Sequence, residues 1–189
     1  VENIQQPKVL KGASIQRYYW TETMSQGEIE HLNESAYLEK CRGSAKSSHH
    51  NYQRIAIQGM TGANDKTRII STIVPAGVYL ANSCNYILPG AADIRYILGI
   101  LNSKLMDWYF RCFSTNSNVN GYEVDNLPFP QATPAEKNQL IELVNKVLEE
   151  KERNNKSDTK DLEHTIDSLV YRLFRLTTEE IQQVEDSYN

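Results

Sequence analysis

The spacing of apolar residues changes once along this chain, near Ile94, and that change constrains the fold more than any other feature. Before it, in "YQRIAIQGM", Ile55 and Ile57 alternate with Arg54, Ala56 and Gln58, the two-residue period of a half-buried strand. "TGAND" reads as a turn, "RIISTIV" as a second strand, and "VYLANSCNYIL", after Pro75 and Gly77, as a third. After it, Ile94, Ile97, Leu98, Leu101, Leu105, Trp108 and Cys112 fall three or four apart, the stripe of one helix lying on that sheet. Strands separated by such short turns favour antiparallel or mixed pairing. The expected fold is therefore α+β: a small mixed or antiparallel sheet with a packed helix, followed by a C-terminal helical hairpin.

That hairpin is legible from its caps. In "TPAE", Thr133 caps, Pro134 suits the first helical position and Glu136 reaches back to the cap. Leu140, Leu143, Val144, Val147 and Leu148 carry this helix to about Arg153. "NNKSD" is a hinge, Leu162 to Phe174 form a second amphipathic helix, and "TTEE" starts a short third one. Two prolines in "LPFP" block helix and ladder alike, so residues 127–130 read as a rigid extended linker. The expected division is 1–130 and 131–189.

The composition, 40% hydrophobic and 23% charged, is that of a globular protein, and no apolar run is long enough for a membrane helix. Three distant cysteines, Cys41, Cys84 and Cys112, argue against a disulfide framework and suit a reducing cytoplasm. The start at Val1 suggests a chain that is either trimmed or cut out of something longer. The net charge of −4 conceals an asymmetry. Residues 1–130 hold 12 Lys and Arg against 11 Asp and Glu, whereas 131–189 hold 8 against 13. Residues 20–39 carry five Glu and no Lys or Arg. Residues 40–68 carry six bases (Lys40, Arg42, Lys46, Arg54, Lys66, Arg68) and one acid, Asp65. Such a run is either a solvated face or the footprint of a polyanion.

Catalytic chemistry finds little support. "NLPF" at 126–129 is one residue from the Asn-Pro-Pro-Phe loop of amino-methyltransferases, but none of the nine glycines forms the G-x-G that holds S-adenosylmethionine. His49-His50 in "GSAKSSHHNY" matches no zinc spacing and reads as part of an exposed, mobile loop. Cys84 and Cys112 read as core thiols, and Trp108, Tyr109 and Phe110 as core aromatics. Lys104, beside Asn102 and Ser103, reads as structural support rather than a base contact. No catalytic or metal-ligating set is expected.

Four segments in order, "LKGASIQRY" (10–18), "RIAIQGMTG" (54–62), "RIISTIVPAGVYLANSCNYIL" (68–88) and "YILGILNSKLMDWYFRCFSTNSNVNGYEVDNLPFP" (96–130), resemble the TaqI-like specificity, or target-recognition, domain. The tail "IDSLVYRLFRLTTEEIQQVED" resembles the helical end such proteins carry. Ser14 stands where the family's pattern has Asp, and no role is assigned to it.

The resemblance implies a module that follows the catalytic domain of adenine-specific DNA methyltransferases, including type IIG and IIS restriction–modification enzymes. It implies double-stranded DNA as partner, with S-adenosylmethionine bound by the catalytic domain of the same polypeptide. "LPFP" would then be the exit from the recognition domain. The expected DNA-contacting set is Lys46, Arg54, Gln58, Lys66 and Arg68 around one hairpin, with Ser114, Asn116, Asn118, Asn120 and Tyr122 on a second loop. Bases would hold phosphates, while Asn, Gln or Arg would read base edges. The asparagines could equally support turns. A protein-interaction or specificity-subunit module without DNA contact is the competing class, and a free-standing enzyme would have to bind S-adenosylmethionine itself.

Overall fold

The computed structural model describes residues 7–22 and 30–188; the stretch 23–29 of the acidic run lies outside them. Among the described residues, eight short strands, β1 (Lys8–Leu10), β2 (Ile15–Gln16), β3 (Tyr19–Trp20), β4 (Glu30–His31), β5 (Arg54–Gln58), β6 (Ser71–Val74), β7 (Tyr79–Leu80) and β8 (Cys84–Ile87), form three small sheets. Seven α-helices accompany them among the described residues: α1 (Glu34–Lys40), α2 (Ile94–Leu101), α3 (Lys104–Phe113), α4 (Gly121–Asp125), α5 (Pro134–Arg153), α6 (Lys160–Leu173) and α7 (Thr178–Asp186).

The central sheet runs β6-β5-β8, antiparallel throughout, with Ile55 opposite Ile73 and Ile87. A second runs β4-β1-β7, where β1 pairs antiparallel to β4 and parallel to β7, and β2 and β3 form a ribbon. The expected α+β class with mixed pairing is the observed one. The expected third strand is two: β7 and β8 join different sheets.

Strand β5 is covered on both faces rather than half-buried. Alternation sends Ile55 and Ile57 into the main core with Leu98, Ile100 and Phe110. Ala56, on the opposite face, packs with Leu10, Ile15, Val74 and Cys84 in a second cluster. Leu10 and Ile15 bring part of that second layer from the start of the chain, and Arg54, on the same face as Ala56, is buried beside Val78 and Tyr86.

The helix expected over 94–112 is broken in the middle. Asn102 ends α2 and turns its side chain to β6, where its amide accepts from the Ser71 hydroxyl (2.8 Å) and donates to the Ser71 carbonyl (3.0 Å). Ser103 starts α3, its hydroxyl accepting from Met106 N–H (3.2 Å). A capped break replaces a continuous stripe because each polar side chain has a partner that a helix interior would deny it. Past the break the expected core positions change. Tyr109 and Cys112 are exposed, and Phe110 alone of the aromatic trio is fully buried.

Thr133 and Glu136 form the expected capping box of α5, and Thr177 and Glu180 that of α7. The tail packs on α2 and α3. A Cβ on Gly99 would sit 2.8 Å from Val144 and 3.0 Å from Leu140, so only glycine lets α2 and α5 approach this closely. Leu140, Val144, Ile166, Val170 and Val184 share one cluster with Ile55 and Ile57, so the hydrophobic core runs unbroken across position 130.

Residues 43–52 are not an open loop. Ala45–Asn51 is a 3-10 helix whose rings dock on the sheets: His49 Nδ1 lies 2.8 Å from the Tyr86 hydroxyl, and His50 stacks on Tyr79 at 4.5 Å.

Candidate nucleic-acid interface

The chain leaves β5 through Gly59, whose N–H donates to Ser83 O (2.8 Å) and whose missing Cβ would lie 2.8 Å from the same oxygen. Residues 59–61 then meet the asparagine loop edge to edge. Val119 N–H donates to Gly59 O (3.1 Å), Thr61 N–H donates to Ser117 O (2.9 Å), and Met60 forms an antiparallel bridge with Asn118. Two segments almost sixty residues apart in sequence thereby become one surface element. The turn beyond is closed by Asp65, which accepts from Gly62 N–H (2.8 Å).

Arg68 lies beneath this junction, fully buried. Its Nε donates to the Thr61 hydroxyl (2.9 Å), its Nη2 to the carbonyls of Asn116 (2.6 Å) and Asn118 (3.4 Å), and its guanidinium stands 5.4 Å from the Phe110 ring centroid. Its Nη1 is buried without a hydrogen-bond partner. Asp107, also buried, fixes the same strand entry. Its Oδ1 accepts from Arg68 N–H (2.6 Å) and Ile69 N–H (2.7 Å), and its Oδ2 accepts from the Tyr188 hydroxyl (2.8 Å) with Arg111 Nε at 3.3 Å.

Asn116 Oδ1 accepts from Asn118 N–H (2.8 Å), a local turn. Asn120 caps α4 in a reciprocal box with Glu123, so that asparagine does support a turn. From Asn85, on β8, the side-chain amide donates to Val119 O and braces the loop from beneath.

The ten expected contact residues therefore divide three ways. Lys46, Lys66, Asn116, Asn118 and Tyr122 are exposed, and Gln58 and Asn120 are half-buried. Arg54, Arg68 and Ser114 are buried at 3%, 0% and 4% exposure, which removes them from any surface a duplex could touch. Arg54 donates to the carbonyls of Tyr52 (3.1 Å) and Val78, and burial lowers its guanidinium pKa, with Tyr86 and Tyr37 opposing. Gln58 Nε2 donates to Ile15 O (2.7 Å). Lys46 belongs to the 3-10 helix docked on Tyr79 and Tyr86. Lys66 Nζ reaches Tyr188 O at 3.4 Å. Of the six bases in 40–68, four remain at the surface: Lys40, Arg42, Lys46 and Lys66.

Met60, two-thirds exposed at the centre of the junction, was not anticipated; nor was Asp107. An acid flanked by Met106 and Trp108 was the available signal for the second.

Other expectations resolve locally. Lys104 is held by Glu185 (2.6 Å), and its N–H donates to Asp167 (2.8 Å). In "NLPF", Asn126 ends α4 and donates to Tyr122 O (2.6 Å), Leu127 is buried, and the Tyr96 hydroxyl donates to Pro130 O (3.3 Å). Among the described residues no group of three or more His, Cys, Asp or Glu is placed to hold a metal, and no helix is long and apolar enough to cross a membrane.

The family model of the TaqI-like C-terminal specificity domain matches residues 7–129, well over half of the sequence, and the chain belongs to that family. Among solved structures, the type IIL restriction-modification enzyme MmeI in complex with DNA shares the fold. Its TM-score is 0.66 at 13% identity, over 98% of this chain and 31% of that one. The chain thus spans under a third of MmeI's length. No curated protein matches it.

Proposed function

We propose that this chain is the target-recognition module of a DNA restriction–modification enzyme and reads duplex sequence through the joined loops 59–66 and 114–122. One observation carries the reading. The two loops form a single braced surface element that presents Asn116, Asn118 and Tyr122 to solvent while their backbones are held from inside. Rigid backbone with an exposed bidentate side chain, as at Asn118, is what reading a base edge requires. An Asn118 amide matches the N6/N7 edge of adenine, and the Tyr122 ring and Met60 thioether offer apolar contact to a thymine methyl. Lys46 and Lys66, with Lys40 and Arg42, supply phosphate contacts that carry no sequence information.

The methyl transfer expected of the parent falls to a domain outside these residues. The glycines here include no G-x-G turn, the element such a domain would use to hold S-adenosylmethionine. This chain would supply the address.

The test is selection from a randomised duplex pool with the full chain, then titration of the enriched duplex against salt. Enrichment of a common sequence is expected, with log affinity falling against log salt at a slope of roughly −2 to −4 for three or four phosphate contacts. An unenriched pool, or affinity indifferent to salt, would favour a module whose partner is a protein.

A further inference from the structure

We infer that Arg68 is the positioning residue of the reading surface: without touching DNA, it fixes loop 59–62 against loop 116–118. The inference rests on the DNA reading above.

Three observations lead to it. The guanidinium is fully buried, so a groove cannot reach it. Its donors go to both loops at once, Nε to the Thr61 hydroxyl and Nη2 to the carbonyls of Asn116 and Asn118. The carboxylate nearest its own backbone, Asp107, is occupied with main-chain N–H groups, Tyr188 and Arg111, so the guanidinium is solvated by neutral oxygens and the Phe110 ring.

Burying a cation among neutral acceptors is costly, and Leu or Met would fill a core more cheaply. A planar fork does something neither can: it holds donors at fixed angles to oxygens from two chain segments. The carbonyls it grips belong to the two residues whose side chains face solvent. Rotating either peptide would swing Asn116 or Asn118 away from a base edge, and a misplacement near 1 Å is enough to lose directional hydrogen bonds.

Arg68→Lys and Arg68→Met in the full chain test this against the selected duplex and one altered at a single base pair. Discrimination between the two should fall at least tenfold in both variants, with affinity for the altered duplex and the salt slope unchanged. Lysine should not rescue, because it keeps the charge but not the fork. Amide exchange at Thr61 and Val119 should speed up in both variants. Thr61→Val, which removes the Nε acceptor together with the hydroxyl's own bond to Arg68 O (3.2 Å) and leaves the guanidinium in place, should lose discrimination in the same direction and to a smaller degree, and it stands in should either Arg68 variant fail to fold. A salt slope shallower by about one phosphate would mean that Arg68 contacts DNA, and wild-type discrimination in Arg68→Lys would mean that charge suffices; either overturns the inference. A wild-type chain that discriminates alongside equally discriminating variants overturns the inference alone. A wild-type chain that does not discriminate removes the DNA reading as well.

Discussion

Asp107→Ala should be strongly destabilising. The carboxylate accepts two buried main-chain N–H groups, from Arg68 (2.6 Å) and Ile69 (2.7 Å), together with the Tyr188 hydroxyl (2.8 Å). At 1% exposure, no water can replace it without rearrangement. Each stranded buried donor costs about 1–3 kcal/mol, so two amides and part of the hydroxyl give a loss of about 4 kcal/mol. For a domain of this size that lowers Tm by about 8–16 °C. Asp107→Asn keeps an acceptor for the amides but turns an NH2 toward Tyr188 and Arg111, and should cost about half as much. Urea unfolding followed by far-UV circular dichroism measures both, with the slope m checked for constancy. A loss below 1 kcal/mol for the alanine variant would refute the reasoning, because the strand entry would then owe nothing to this carboxylate.

Gly59→Ala should destabilise by about 2 kcal/mol in the same assay, since its Cβ would press on the Ser83 main chain, which cannot retreat like a side chain. Exposed Cys112 should react with a maleimide in the native chain. Cys84, buried and with its thiol pushed up to about 12 by desolvation, should react only on unfolding; equal rates would contradict the second core cluster. Burial raises the Asp167 carboxyl from 3.8 to about 6, against the pull of Lys104 N–H, Arg17 and Lys104. Between those values the folded chain binds the extra proton, so the Asp167 contribution to stability falls as pH rises from about 4 to 6. Asp167→Asn should abolish that slope, and a difference between the two proteins that stays constant from pH 4 to 7 would count against it.

Helices α5 to α7 were legible nearly to the residue because their caps and stripes are local. Strand β5 was legible as a strand, but its second buried face was not, because the residues that cover it, Leu10 and Ile15, lie some forty positions earlier. The same distance accounts for the misread arginines. Basic residues near a hairpin look like surface groups until the carbonyls that receive them, Val78 for Arg54 and Asn116 and Asn118 for Arg68, arrive from 24 to 50 positions away. Asn102 and Ser103 are polar residues between Leu101 and Leu105 of the stripe. That they end one helix and begin another depends on Ser71 across the sheet. The asparagine loop was found because it is polar, dense and flanked by apolar helices. Its partnership with Met60 needed the edge-to-edge bridge, which has no sequence signal.

Hydroxyl-radical footprinting of the full chain, free and bound to its selected duplex, tests the account most directly. Protection should fall on Met60 and Tyr122, the most exposed large side chains of the joined loops, while Phe129 in the linker and the outward faces of α5 to α7 stay as reactive as in the free chain. Protection concentrated on the acidic helices, with Met60 and Tyr122 unchanged, would place the duplex elsewhere and contradict it.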